Sequence, residues 1–377
     1  MSRVEQRLRG LRAPDEPAAE LRAWAIARSV YAEREPTPAR GRGRVRVVVA
    51  AAVLAGGALL ALSPAGAAVR GWLDRALGAR HASSALFSLP SSGRLLVAGS
   101  EGAWAISADG SRRRLGSWSQ ASWSPHGLYI GVAARNKLGA VDGRGTPQWT
   151  IARPEVRFPR WFSPTGYRLA YLSGTTLRVI AGDGSGDRLL ASGVAAVAPA
   201  WRPDHPYQLA YATARGTVIV RDADTGQIVW RQSLAVPPRR LAWSSDGARL
   251  LVLSRDAALL FNANGRFDGR IADGEAPLDA ALSPDGRTLA LLGDRTVTVT
   301  ALSSPGQRPR RVFTGSGLGQ LAWSPDARWL LVSWPTADQW IFVHTRGRPR
   351  IAAISRIAEQ FGSAGHGFPQ LDGWCCS

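Results

Sequence analysis

Three features of the sequence predict an all-β fold, a seven-bladed β-propeller, joined to a single N-terminal transmembrane helix and a short helical cytoplasmic tail. A turn of the Ser-Pro-Asp-Gly kind, usually preceded by Trp and followed by an apolar strand, returns about every 40 residues. The 24 prolines, 41 glycines and 15 tryptophans suit many short strands and tight turns more than long helices. One stretch, Val47 to Val69, runs 23 residues without a charge.

Residues 1–46 read as a basic cytoplasmic tail with eleven arginines and six acids. Its main helix is predicted over 17–33, with Asp15 as cap, Pro17 in the first turn and Leu21, Trp24, Ala25 and Tyr31 as an apolar stripe. Such a stripe needs a partner, either a cytoplasmic protein or the anionic inner leaflet. The run 47–69 is long enough as a helix, at ~1.5 Å per residue, to cross a ~30 Å hydrocarbon core. Arg28, Arg34, Arg40, Arg42, Arg44 and Arg46 precede it, and Arg70, Arg75 and Arg80 follow, which places the N-terminus inside. The alternatives are a buried core helix and a signal peptide cleaved after Ala65-Gly66-Ala67. Residues 70–83 are a juxtamembrane linker. The expected location is the plasma membrane, with the propeller extracytoplasmic.

The repeats occupy 84–356. Aligned turn positions are Ser91, Pro125, Pro164, Pro203, Ser245, Pro284 and Pro325, at intervals of 34 to 42 residues. Seven copies give seven blades, with six or eight as alternatives. In the full Ser-Pro-Asp-Gly form Ser takes position i of a type I turn, Pro i+1 and Gly i+3. Trp123, Trp161, Trp201, Trp243 and Trp323 end the strand before the turn and are expected to fill the space between blades; Leu282 replaces Trp once. The next strand, such as LLVLS or LALLG, is apolar on both faces, as between packed sheets. A third strand and a hairpin follow, marked by Asp109-Gly110, Asp142-Gly143, Asp183-Gly184 and Asn264-Gly265, then a more polar fourth strand. The first copy is degraded and lacks its Trp, so its blade is expected to be short of a strand.

This repeated W-S-P-D-G turn with its apolar strand resembles the TolB-type, WD-repeat-like propellers of bacterial envelopes. The resemblance covers about 270 residues and implies binding of a protein or peptide; fold alone does not settle function. The segment Asp222 to Trp230 resembles the quinoprotein-like repeat, whose Trp docks between sheets, with a fainter echo at Gly145 to Trp149.

The remaining chemistry is sparse. The histidines are scattered, no G-x-S-x-G elbow occurs, and no Gly-rich phosphate loop opens a helix. Asp183-Gly184-Ser185-Gly186-Asp187 reads as Ca²⁺ ligands or as an ordinary turn. Residues 357–377 read as a short helix and loop capping one face. Within them Cys375 and Cys376 form a vicinal disulfide, remain free thiols or bond a second chain. No catalytic residue, cofactor, metal or nucleic-acid partner is expected. Residues 47–377 carry 36 Arg or Lys against 22 acids. That excess suits an envelope protein or anionic polymer as partner. The expected function is a membrane-tethered binding, sensing or scaffold module; the alternative is a quinoprotein-like or glycan-active propeller enzyme.

Overall fold

A computed structural model describes residues 84–85, 88–203, 205, 207–272, 274–303, 308–347, 350–361 and 367–376. The tail, the run 47–69 and the linker as far as residue 83 lie outside the described residues. Among the described residues no helix is long and apolar enough to cross a membrane.

The described strands form seven sheets, the blades of a propeller, so the count taken from the repeat interval holds. In order from blade 1 the innermost strands are Gln370–Cys375, Gln120–Trp123, Val156–Trp161, Ala200–Trp201, Arg240–Trp243, Asp279–Leu282 and Leu321–Trp323. The second strand of every blade is buried along most of its length, with Leu95, Leu96 and Val97 in blade 1 fully excluded from solvent. Fourth strands such as Ile228–Ser233 are mostly exposed. The apolar-to-polar gradient along each repeat therefore runs outward from the axis.

The turn motif is held by more than backbone preference. Ser244 Oγ donates to Asp246 and accepts the N–H of Arg249, the first residue of the next strand, at 2.9 Å. Ser283 and Ser324 repeat both bonds, to Asp285 and Thr288 and to Asp326 and Trp329. The fourth position is left-handed in each: Gly127, Gly247, Gly286 and, without a glycine, Ala327 at φ 56°.

Two sequence expectations need correction. In blade 2 the left-handed hairpin residue is Gly145, not Gly143. Asp142 Oδ1 accepts the N–H groups of both Arg144 and Thr146, the same pair of bonds that Asn262 makes with Asn264 and Arg266 in blade 5, so Asp142 opens the turn and Gly145 matches Gly265.

The larger correction concerns 357–377. Ile357–Gln360 is a short helix, but Gln370–Cys375 is no cap. It pairs antiparallel with Arg94–Gly99 as the innermost strand of blade 1. The reason is physical: the segment before Arg94 has no Trp-ended strand, so the inner edge of a buried strand would leave its N–H and C=O groups unpaired. Trp374 faces Leu95 in the register in which Trp243 faces Leu250 and Trp323 faces Leu330, so it is the Trp missing from the first repeat. At the other end, Ser84–Ala85 pairs in parallel with Ile351–Ser355 on the outer edge of blade 7.

Candidate functional site

Each repeat Trp sits at a seam between its own blade and the one before. Trp323 packs against Ala281, Leu292 and Val297 of blade 6, and Trp243 against Ala210 and Val218 of blade 4. Trp201 meets Phe162 and Ala170 of blade 3, and Trp161 meets Ala133 and Leu138 of blade 2. Trp374 joins Leu331 and Phe342 of blade 7. These five are buried; Trp123, at the seam of blades 1 and 2, is half-buried under Arg94, whose guanidinium stands 4.5 Å from its ring. Trp201 and Trp323 also donate Nε1–H to carbonyls of the preceding inner strand, Arg160 O at 2.8 Å and Ala281 O at 2.9 Å.

The two tryptophans that carried the quinoprotein resemblance have a packing role. Trp149 and Trp230 leave the fourth strands of blades 2 and 4 and lie on the hairpins of blades 3 and 5. Their Nε1 groups donate to Gly182 O at 2.8 Å and Ala263 O at 3.0 Å. A Cβ on Gly184 or Gly265 would fall 2.6 Å from the indole, so each hairpin needs glycine for contact as well as for its positive φ.

All seven inner strands line a central channel of about 790 Å³. Polar side chains near the start of these strands cross to the neighbouring blade. Asp372 accepts Ala121 N–H at 2.9 Å, Gln120 accepts Phe158 N–H at 2.5 Å, Asp279 accepts Leu321 N–H at 2.9 Å and Gln320 accepts Leu371 N–H at 2.8 Å. Arg240 pairs with Asp279. These bonds tie blades 5, 6, 7, 1, 2 and 3 in sequence. Among the described residues blades 3 to 5 lack this lacing, where blade 4 presents Ala198 and Pro199.

The charged lining is Arg160, Arg239, Arg240, Asp279 and Asp372. Burial pushes Asp372 up to about 7, against the pull of Arg160 and of the Ala121 N–H. Burial likewise lowers the Arg160 guanidinium from its ordinary value, with Asp372 opposing and Arg240 adding to the effect. Arg160, Asp279 and Asp372 were not singled out in the sequence. The signal was a polar residue three places before the repeat Trp, or before the Leu that replaces it: Gln120, Arg240, Asp279 and Gln320 all stand there.

A second cavity of about 660 Å³ lies between blades 2 and 3 and shares Ser124, Pro125 and Trp161 with the channel wall. Leu128, Tyr129 and Tyr167 line it and are exposed to solvent at 66%, 44% and 65%.

Of the other candidates, Cys375 and Cys376 are joined as a vicinal disulfide, next to the turn of blade 2. The Asp183 to Asp187 loop is an ordinary turn. Asp183 accepts Ser185 N–H at 2.9 Å, while Asp187 is engaged by Arg153, Arg178 and the Tyr171 hydroxyl. Among the described residues no group of three or more His, Cys, Asp or Glu is placed to hold a metal ion.

No protein-family model matches the sequence, and no curated protein matches it. Solved structures do match in shape. The β-propeller domain of Myceliophteria thermophila Cps50 (Swd1) aligns at TM-score 0.55 and 15% identity, covering 68% of this chain and 95% of that one. KlHsv2, with its loop 6CD replaced by a Gly-Ser linker, aligns at 0.53 and 13%, covering 69% and 93%. A chain of the mitotic checkpoint complex aligns at 0.50 and 17%, covering 60% and 75%. At these identities the likeness concerns fold. The chain has the β-propeller fold.

Proposed function

We propose that this chain is a membrane-tethered binding module. Val47 to Val69 crosses the plasma membrane, the N-terminal tail stays in the cytoplasm, and the propeller meets a protein or anionic partner in the cell envelope, in the manner of the TolB-type propellers it resembles. The tail helix at 17–33 docks a cytoplasmic protein. The observation that carries the reading is the channel with its adjoining groove: a large, basic, partly apolar concavity, in which the arrangement of side chains supplies recognition and no nucleophile paired with a base. The propeller in the mitotic checkpoint complex belongs to a multi-chain assembly, which supports a protein partner.

Two measurements test this. Protease added to intact spheroplasts should digest the propeller and spare an N-terminal tag; loss of the tag instead overturns the topology. Envelope components recovered on the immobilised propeller at low salt should be released as salt rises, because the screening length falls from ~10 Å at 0.1 M to ~3 Å at 1 M. Turnover of an envelope substrate by the purified chain, abolished by one side-chain change, overturns the binding reading.

A further inference from the structure

The exposed apolar side chains are not scattered over the ring. Within a blade the turn between the first and second strands lies beside the hairpin between the third and fourth, as where Tyr167 O accepts Gly182 N–H at 3.0 Å and Tyr207 O accepts Ala223 N–H at 2.8 Å. These loops make up one face of the propeller, opposite the end at which the inner strands are laced. Leu128 and Tyr129 in blade 2, Tyr167 and Leu189 in blade 3, Ile228 and Val229 in blade 4 and Phe267 in blade 5 are each 44% to 66% exposed. All stand in the turns of that face or within the first two residues of a strand leaving it. Of the large apolar side chains exposed among the described residues, only Leu278 lies at the other face, next to the start of an inner strand. The chain enters from the turn face as well. Ile351–Ser355 follows the hairpin of blade 7 and runs away from that face. Ser84–Ala85 runs parallel to it with Ser84 beside Ala352, so the chain before Ser84 arrives from the turn side.

We propose that the turn face of blades 2 to 5 lies on the extracytoplasmic surface of the lipid bilayer, with its apolar side chains in the boundary between headgroups and acyl chains. This rests on the membrane tether proposed above. The 14 residues of the linker 70–83 span at most ~50 Å when fully extended, so the turn face is never far from the lipid. Blade 7, where the chain enters, stands across the ring from blades 3 and 4. The tether therefore holds one side of the disc and the apolar sector the other, which lays the disc flat. Tyr, Leu and Phe side chains gain free energy at that depth, and a cluster of them on one face marks an interaction surface. Apolar area supplies the attraction more than charge does, because in this sector Asp224 is paired with both Arg168 and Arg188. Arg144 and Arg266, exposed in the hairpins of blades 2 and 5, can reach lipid phosphates from the same face. The laced mouth of the channel then faces away from the membrane, toward the partner.

The test uses the full chain reconstituted into phosphatidylcholine vesicles, with a fluorophore attached through Thr165→Cys in the turn of blade 3 or through Arg295→Cys on the other face. Cys375 and Cys376 are bonded to each other and do not take the label. Lipids brominated on their acyl chains should quench the label at 165 several-fold more than the label at 295. That difference should be lost when Leu128→Ser, Tyr167→Ser and Phe267→Ser are combined. Circular dichroism and the unfolding midpoint should stay unchanged, since all three side chains are at least 60% exposed. Equal quenching at the two positions, stronger quenching at 295, or quenching at 165 that survives the triple variant each overturns the proposal. Vesicle flotation separates this contact from the tether. A chain that floats without quenching at 165 keeps its anchor and lacks the contact, so the membrane reading stands and this proposal is wrong; a chain that does not float removes both. Unlabelled Thr165→Cys that is shielded from an aqueous maleimide in cells but not in vesicles assigns the face to a protein and likewise overturns the bilayer.

Discussion

Replacing Trp374 by alanine strikes the point at which the ring is closed. The side chain is 7% exposed and belongs to a cluster with Leu95, Leu331 and Phe342. A tryptophan buries roughly 200 Å², which at about 25 cal/mol per Å² corresponds to several kcal/mol of transfer free energy. Two blades hold the site open, so the vacated space collapses only in part. The expected loss is ~3–5 kcal/mol. Among the described residues its Nε1 has no hydrogen-bond partner, so Trp374→Phe removes volume only and should cost ~1–2 kcal/mol. Trp323→Phe also breaks the bond to Ala281 O and should cost about 1 kcal/mol more. Urea unfolding followed by far-ultraviolet circular dichroism gives all three values. A loss below ~1 kcal/mol for Trp374→Ala would refute the argument, because it would mean that the seam of blades 7 and 1 is not closed by this residue.

Asp372 provides a pH test: its folded-state value of about 7 lies above the ~3.9 of an unfolded aspartate, so the stability it contributes is full below pH ~4 and is lost as pH rises through 7. Asp372→Asn should therefore gain on the native chain between pH 4 and 8, by ~1–3 kcal/mol after allowance for water in the channel, and a gain independent of pH would contradict this. Asp187 has the opposite sign: desolvation raises it, but Arg178, Tyr171 and Arg153 outweigh that and hold it below the usual carboxylate range, so its contribution is present above pH ~4 and is lost as acid protonates it. Asp187→Ala should cost ~3 kcal/mol at pH 7 in thermal or urea unfolding. Gly265→Ala should cost ~2–4 kcal/mol, combining left-handed backbone strain with the collision at Trp230, whereas Gly193→Ala at φ 68°, with nothing within 4 Å of the added carbon, should cost only the ~1–2 kcal/mol of the backbone. Equal losses in the two glycine variants would show that Trp230 does not rest on that hairpin.

The blade count was legible because the turn chemistry is local. Ser244, Ser283 and Ser324 close their loops with bonds to residues two and five places ahead, so each copy carries its own instructions. The tryptophans were legible for the same reason, since Trp precedes the turn by a fixed step. The closing strand was not. Trp374-Cys375-Cys376 lacks the Pro-Asp-Gly that marks the other copies, and its pairing with Arg94–Gly99 is set by the empty edge of a distant blade. The channel stayed hidden because Arg160 and Asp372 belong to blades 3 and 1 and meet only once the ring exists. The quinoprotein resemblance was a true reading of local packing, for Trp149 and Trp230 do dock on neighbouring hairpins.

The pairing of Gln370–Cys375 with Arg94–Gly99 also bears on assembly in time. Ala121 and Asp372 are 251 residues apart, and every bond across the seam of blades 1 and 2 that uses Asp372 waits for that separation to be bridged. Blades 2 to 6 draw all four strands from consecutive sequence and can form one after another as the chain is made. Blade 1 is translated early yet completed last, with the apolar edge of Arg94–Gly99 open throughout. Ring closure is therefore the natural slow step of folding, because the entropy of so long a loop is lost before any contact repays it. The interval before it is when this protein is most exposed to aggregation and most in need of a chaperone.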